Sequence, residues 1–99
     1  MELGEITPQV SEFVRQHIRS VEQLEILLFT IENSSRAWSA AEVSGRLYIH
    51  PDSAAERLAD LSKTGLLEHA QKDEKELFYK YRPVTEALRL AASNLAAAY

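Results

Sequence analysis

Apolar residues recur along this chain at spacings of three and four in several separate blocks, and at spacings of two near residue 80. Thr7-Pro8 reads as a helix cap followed by proline at the first helical position. Val10, Phe13, Val14, His17 and Ile18 then fall on one face, which predicts a helix from Pro8 to Arg19. Ser20 with Gln23 three residues on is a capping-box pattern. The stretch it opens, 21–33, is apolar around most of its circumference, as expected of a central helix contacted from several sides. Asn33, Ser34 and Ser35 end it, because their side chains bond local backbone.

Residues 36–38 are too few to read alone; in the order reached below they form a brief strand, with Trp38 packing at its end. Ser39 and Glu42 make a second capping box, opening a third helix that runs to Leu47. Ile49-His50-Pro51 is a connection, and Pro51 begins a fourth helix. Ala54, Leu58 and Leu61 supply its inward stripe, and Gly65 stands where a C-terminal cap belongs. Leu66 to Ala70 and Leu77 to Tyr81 are strand candidates flanking the polar turn QKDEK, together a hairpin. Pro83 is expected to start a last helix ending near Ala98, with Val84, Leu88, Ala91, Leu95 and Ala98 as a heptad-like stripe.

Helix, helix, short strand, helix, helix, hairpin, helix is the order of a winged helix. That is an α+β fold: a three-helix core with a helix-turn-helix, a small antiparallel sheet or wing, and additional N- and C-terminal helices. At 99 residues the chain suits one such domain, with 8–82 as core and wing and 83–99 as the C-terminal helix. The stretch WSAAEVSGRLYIHPDSAAERLADLSKTGLLE, roughly a third of the chain, resembles the helix-turn-helix of bacterial winged-helix regulators. The likeness lies in a capped helix ending at Leu47, a proline-started recognition helix with Arg57-Leu58 and Leu61, and Gly65-Leu66-Leu67 entering the wing. It implies a transcription-regulator type of module, without catalysis. The segments SVEQLEILL, WSAAEV, LY, SAAERL, GLL and YKYRP are also similar to a group of small uncharacterised bacterial winged-helix proteins. In that group the chain continues past the alanine-rich helix, so a chain stopping at Tyr99 would be either a natural short form or a trimmed piece.

Composition changes this picture in three places. Cysteine is absent, which removes disulfides, thiol catalysis and cysteine-based zinc sites and suits a cytoplasmic location. No apolar run approaches the ~20 residues of a membrane span, and the first residues are neither basic nor apolar enough for a secretory signal. The formal net charge is −4, whereas a domain living on phosphate contacts is usually basic.

Charge matters most on the fourth helix. If Ala54, Leu58 and Leu61 point inward, the outward positions include Asp52, Ser53, Glu56, Arg57, Asp60 and Lys63. In winged-helix regulators such positions reach base edges, while lysines of helix ends and wing hold phosphates. Ser53, Arg57 and Lys63 on the helix and Lys72, Lys75 and Lys80 on the wing are therefore the candidate DNA contacts. Against them, Ser39 to Gly65 carries Glu42, Asp52, Glu56 and Asp60 but only Arg46, Arg57 and Lys63. The helix dipole accounts for Asp52 but poorly for Glu56 and Asp60. An acidic helix with small Ala55 and Ala59, flanked by Phe78, equally suits a basic protein partner. Both readings stand at this point: a DNA-binding regulator, or a winged helix that has lost DNA binding and recognises a protein.

The last helix is expected to mediate a homodimer through Val84, Leu88, Ala91, Leu95 and Ala98, or to cap Phe13 and Ile18 of its own chain. Catalytic, metal and cofactor sites are not expected. His17, His50 and His69 are widely spaced, the glycines Gly4, Gly45 and Gly65 form no phosphate loop, and no nucleophile motif is present.

Overall fold

The computed structural model describes residues 8–71 and 77–98. Its elements are α1 (Pro8–His17), α2 (Val21–Glu32), β1 (Trp38–Ser39), α3 (Ala40–Leu47), α4 (Pro51–Lys63), β2 (Leu67–Gln71), β3 (Leu77–Tyr81) and α5 (Glu86–Ala98). The strands form one antiparallel sheet in the order β1-β3-β2. Trp38 pairs with Tyr79, and His69 pairs with Tyr79 from the other side.

α2 is the central helix, packed against α3, α4 and β3. Ile26 and Leu27 are fully buried on it, and so is Thr30, whose hydroxyl donates to the Leu27 carbonyl at 2.8 Å. Ser20 caps α2 by accepting from the Gln23 amide at 3.1 Å. The return bond differs from an ordinary capping box: Gln23 Oε1 accepts from the Arg19 amide at 2.9 Å, one residue before the cap. At α3 the box is reciprocal, with Ser39 Oγ accepting from the Glu42 amide at 3.2 Å and Glu42 Oε1 accepting from the Ser39 amide at 3.0 Å.

α3 ends in an unusual way. Tyr48 takes the left-handed conformation (φ 58°, ψ 45°) that glycine normally supplies at a helix end. The turn is held by Ser44, whose carbonyl accepts from the Ile49 amide and whose hydroxyl donates to the Ile49 carbonyl. His50 then caps α4 through Nδ1, which accepts from the Asp52 amide at 3.1 Å. Ala54, Leu58 and Leu61 are completely buried, as the spacing predicts. Gly65 ends the helix at φ +90°, and a Cβ there would stand 2.7 Å from a Val84 methyl.

Besides α1, which stops at His17 rather than Arg19, and the end of β2 at Gln71, two boundaries depart from expectation for a visible reason. Leu66 belongs to the helix exit, with its amide bonded to the Leu61 carbonyl, so β2 starts at Leu67. Pro83 does not open α5. The amides of Arg82 and Val84 on either side of it bond the carbonyls of Leu66 and Gly65, which ties this segment to the end of α4. Thr85 is the cap instead, its hydroxyl accepting from the Leu88 amide at 3.1 Å.

α5 lies against α1. Ala92 and Leu95 are fully buried in the same core as Phe13, with Leu88 and Ala91 packed at its edge. The residues of the expected dimer stripe do not share one exposed face. Leu95 is used up inside the chain, and Val84 lies outside the helix with 71% of its surface exposed. The outward side of α5 carries Ala87, Leu90 and Ala97. No helix among the described residues is long and apolar enough to cross a membrane.

Candidate interaction face

The exposed edge of α4 is built from Asp52, Ala55, Glu56 and Lys63, with Ala59 half-buried beside them. Ser53 and Arg57, expected on that edge, are turned toward α2. Ser53 Oγ donates to Glu22 Oε1, and Arg57 Nε lies 3.7 Å from the same oxygen. Arg57 Nη1 also lies 3.8 Å from Glu56, so one guanidinium is shared by two carboxylates. Its Nε is buried without a hydrogen bond among the described residues. The outward placement of Ser53 and Arg57 is thus corrected: the Glu22 carboxylate, 31 residues from Ser53 in sequence, holds Ser53 and lies beside Arg57.

The remaining candidate cations do not gather into one surface. Lys63 is exposed at the end of α4. Lys80 pairs across the strands with Glu68, and neighbouring side chains of a strand point to opposite faces, so it stands on the far side of the hairpin from Tyr79. Neither lysine forms an ion pair among the described residues, whereas Arg82 lies 3.5 Å from Glu68. Lys72 and Lys75 lie outside the described residues.

Between α4 and the hairpin is a cleft of about 170 Å³, lined by Ala59, Ser62, Lys63, His69, Leu77 and Tyr79. The buried Tyr79 is its floor, and burial raises the phenol above its ordinary pKa, so it stays neutral. Leu77 is 42% exposed on its rim. Ser62 Oγ and His69 Nδ1, 3.2 Å apart, lie between this cleft and a wider, more polar depression that runs on to Arg82 and Val84. Sequence reading did not single out this cleft. Its one local signal is strand alternation, which puts Leu77 on the same face as Tyr79 at the polar end of the hairpin.

A second cluster surrounds Trp38 at the start of α3. Its indole N–H donates to the Asn33 carbonyl at 3.1 Å, and Phe29 meets its ring edge-on at 4.9 Å. The Arg36 guanidinium lies 3.9 Å from the ring centre and Arg46 5.2 Å from it. Arg36 also reaches Glu42 at 2.5 Å. The Ser39 amide first, and Arg36 second, hold the Glu42 carboxyl below its ordinary pKa. These contacts fasten β1 to the first turn of α3. Among the described residues no group of three or more His, Cys, Asp or Glu is placed to hold a metal ion.

A capped α3, a tight turn, an α4 packed across it, a hairpin behind and flanking helices at both ends define a winged helix-turn-helix domain. The same fold is found in HlyU from Vibrio cholerae, at 20% sequence identity over 91% of both chains with a TM-score of 0.66. Reduced HlyU from the same organism is similar over 83% of this chain and 81% of its own, at 22% identity and a TM-score of 0.59. At these identities the likeness is one of fold. No family model and no curated protein sequence matches the chain.

Proposed function

We propose that this chain is a non-catalytic regulatory winged-helix module whose helix-turn-helix face recognises a protein. One observation carries the reading: the exposed edge of α4 offers Asp52, Ala55 and Glu56, while Arg57 and Ser53 are turned onto Glu22. Reading a base sequence from the major groove requires that edge to approach phosphates, which repel carboxylates and favour guanidinium and ammonium groups. Small and acidic side chains are suited instead to close approach by a basic polypeptide surface.

A DNA-binding role is the second reading. It is favoured by Lys63 and Lys80, which have no acidic partner among the described residues, and by the regulator-like helix-turn-helix pattern of the sequence. Titrating a fluorescent mixed-sequence duplex at increasing salt separates the two. Protein recognition predicts no measurable duplex binding at low salt. Tight binding that weakens steeply with salt would establish the DNA role in its place. Homodimerisation belongs to the same proposal, but on different residues: the outward Ala87, Leu90 and Ala97 of α5 rather than the buried Leu95.

A further inference from the structure

We propose that the cleft between α4 and the hairpin docks a partner segment through one aliphatic side chain, flanked by lysine or arginine on one side and an acidic group on the other. The inference rests on the protein-recognition reading and names the chemistry of the partner.

Size is the first constraint. A cavity of about 170 Å³ is smaller than the ~300–1,000 Å³ of ordinary small-molecule sites. It matches the ~150 Å³ void that accepts a single benzene ring in an engineered core. One leucine, isoleucine or methionine side chain is an occupant of that scale. Tyr79 gives the site a hydrophobic floor, Ala59 a wall without bulk, and Leu77 an apolar rim that otherwise faces water.

Charge sets the second constraint. Going along α4 from the cleft toward its N-terminus, Glu56 and Asp52 are exposed, with side-chain exposures of 70% and 96%. Arg57 stands against both Glu22 and Glu56, so that cluster keeps one net negative charge, to which Asp52 adds another. At the other end of the helix Lys63 borders the cleft itself. The edge therefore runs from negative to positive, and an occupant must run the opposite way. Asp52 and Lys63 lie on one helix, roughly 16 Å apart along its axis at ~1.5 Å per residue. An extended occupant spans that with about five residues. A nucleic acid does not meet the second condition, because its phosphates would pass Asp52 and Glu56.

The test is selection of dodecapeptides from a random display library on the immobilised full chain, followed by anisotropy titration of the enriched peptides. The proposal predicts enriched sequences with one aliphatic residue and Lys or Arg on one side of it. Leu77→Asp and Ala59→Leu, one charging the rim and the other filling the cleft, should each weaken binding by roughly ten- to a hundredfold, the scale of one desolvated aliphatic side chain. Joint replacement Asp52→Lys and Glu56→Lys should remove the preference for basic peptides. Thermal melts of each variant establish that it is folded, and Leu77→Lys serves in place of any that is not. Peptides that bind but ignore Leu77→Asp and Ala59→Leu overturn the cleft while leaving protein recognition in place. Enrichment of acidic peptides overturns the charge assignment and with it the proposal. Absence of any enrichment overturns the docking site, and if duplex DNA binds in the salt titration, the protein-recognition reading falls as well.

Discussion

α4 and α5 are helices of equal length, 13 residues each, and each buries a stripe of alanine and leucine. They differ in what is left outside. α4 commits Ala54, Leu58 and Leu61 to the core and shows water two acids, a small residue and a lysine. α5 commits Ala92 and Leu95 and still shows water Leu90, 52% exposed, between Ala87 and Ala97. The inward stripe of a helix says where it packs. The outward face sets what chemistry it offers: α4 a charged edge, and α5 an apolar strip.

The comparison breaks most readily at Leu95. Leu95→Asp puts an unpaired charge into a fully buried site and should cost roughly 4–5 kcal/mol or more, enough to unfold a small domain. Leu90→Asp, on the opposite side of the same helix, should stay within about 0.5 kcal/mol in urea denaturation. It should also turn a dimer into a monomer by sedimentation. Equal masses for the wild type and Leu90→Asp would remove the outer stripe of α5 from any interface.

Gly65 tests the seam between the two helices. A methyl group there meets Val84 at 2.7 Å and Leu88 at 3.3 Å, on backbone at φ +90°. Gly65→Ala should lose about 2–4 kcal/mol, combining left-handed strain with overpacking. The control is Gly45→Ala in α3, where a Cβ meets nothing within 4 Å. That change should gain about 0.5–1 kcal/mol, since alanine is the better helix former. A loss at both positions would show that the seam is not what makes Gly65 necessary.

A small effect on stability is also expected at Glu22. Glu22→Gln should cost about 1 kcal/mol or less, because the pair it forms with Arg57 is partly open to solvent. Its effect on binding is larger in kind. With the carboxylate gone, Ser53 and Arg57 are free to swing to the outer edge of α4, and low-salt affinity for duplex DNA should rise above that of Glu25→Gln. Glu25 is exposed on the same helix, so both changes remove one negative charge. If the two variants bind duplex alike, net charge and not the orientation of Arg57 decides.

Much of the fold was legible because its signals are local. The Ser39–Glu42 box, the 54-58-61 stripe, the Gly65 cap and the alternation of β3 each lie within a few residues of what they specify. Pro83 misled for a related reason. Proline suits the first turn of a helix, but here the amides around it are claimed by Gly65 and Leu66, and only the tertiary arrangement shows that. The candidate site was less legible still. Periodicity identifies the centre of an inward stripe but not the fate of its flanks, and Ser53 and Arg57 are flanks. Whether they face water depends on Glu22, which belongs to another helix. The intrachain alternative for α5 was available from the sequence, and Leu95 does lie in the core that holds Phe13.

Trp38 has an optical consequence. It is the only tryptophan in the chain, so the whole red-edge fluorescence of the protein comes from one indole. That indole is 5% exposed where β1 meets α2 and α3, against Phe29 and under two guanidinium groups. Loss of the fold delivers it to water, and its emission must shift to longer wavelength. Across the sheet it pairs with Tyr79, the floor of the cleft. A single native fluorophore therefore sits within one strand of both the core and the docking surface, and unfolding and occupancy can be followed without attaching a label.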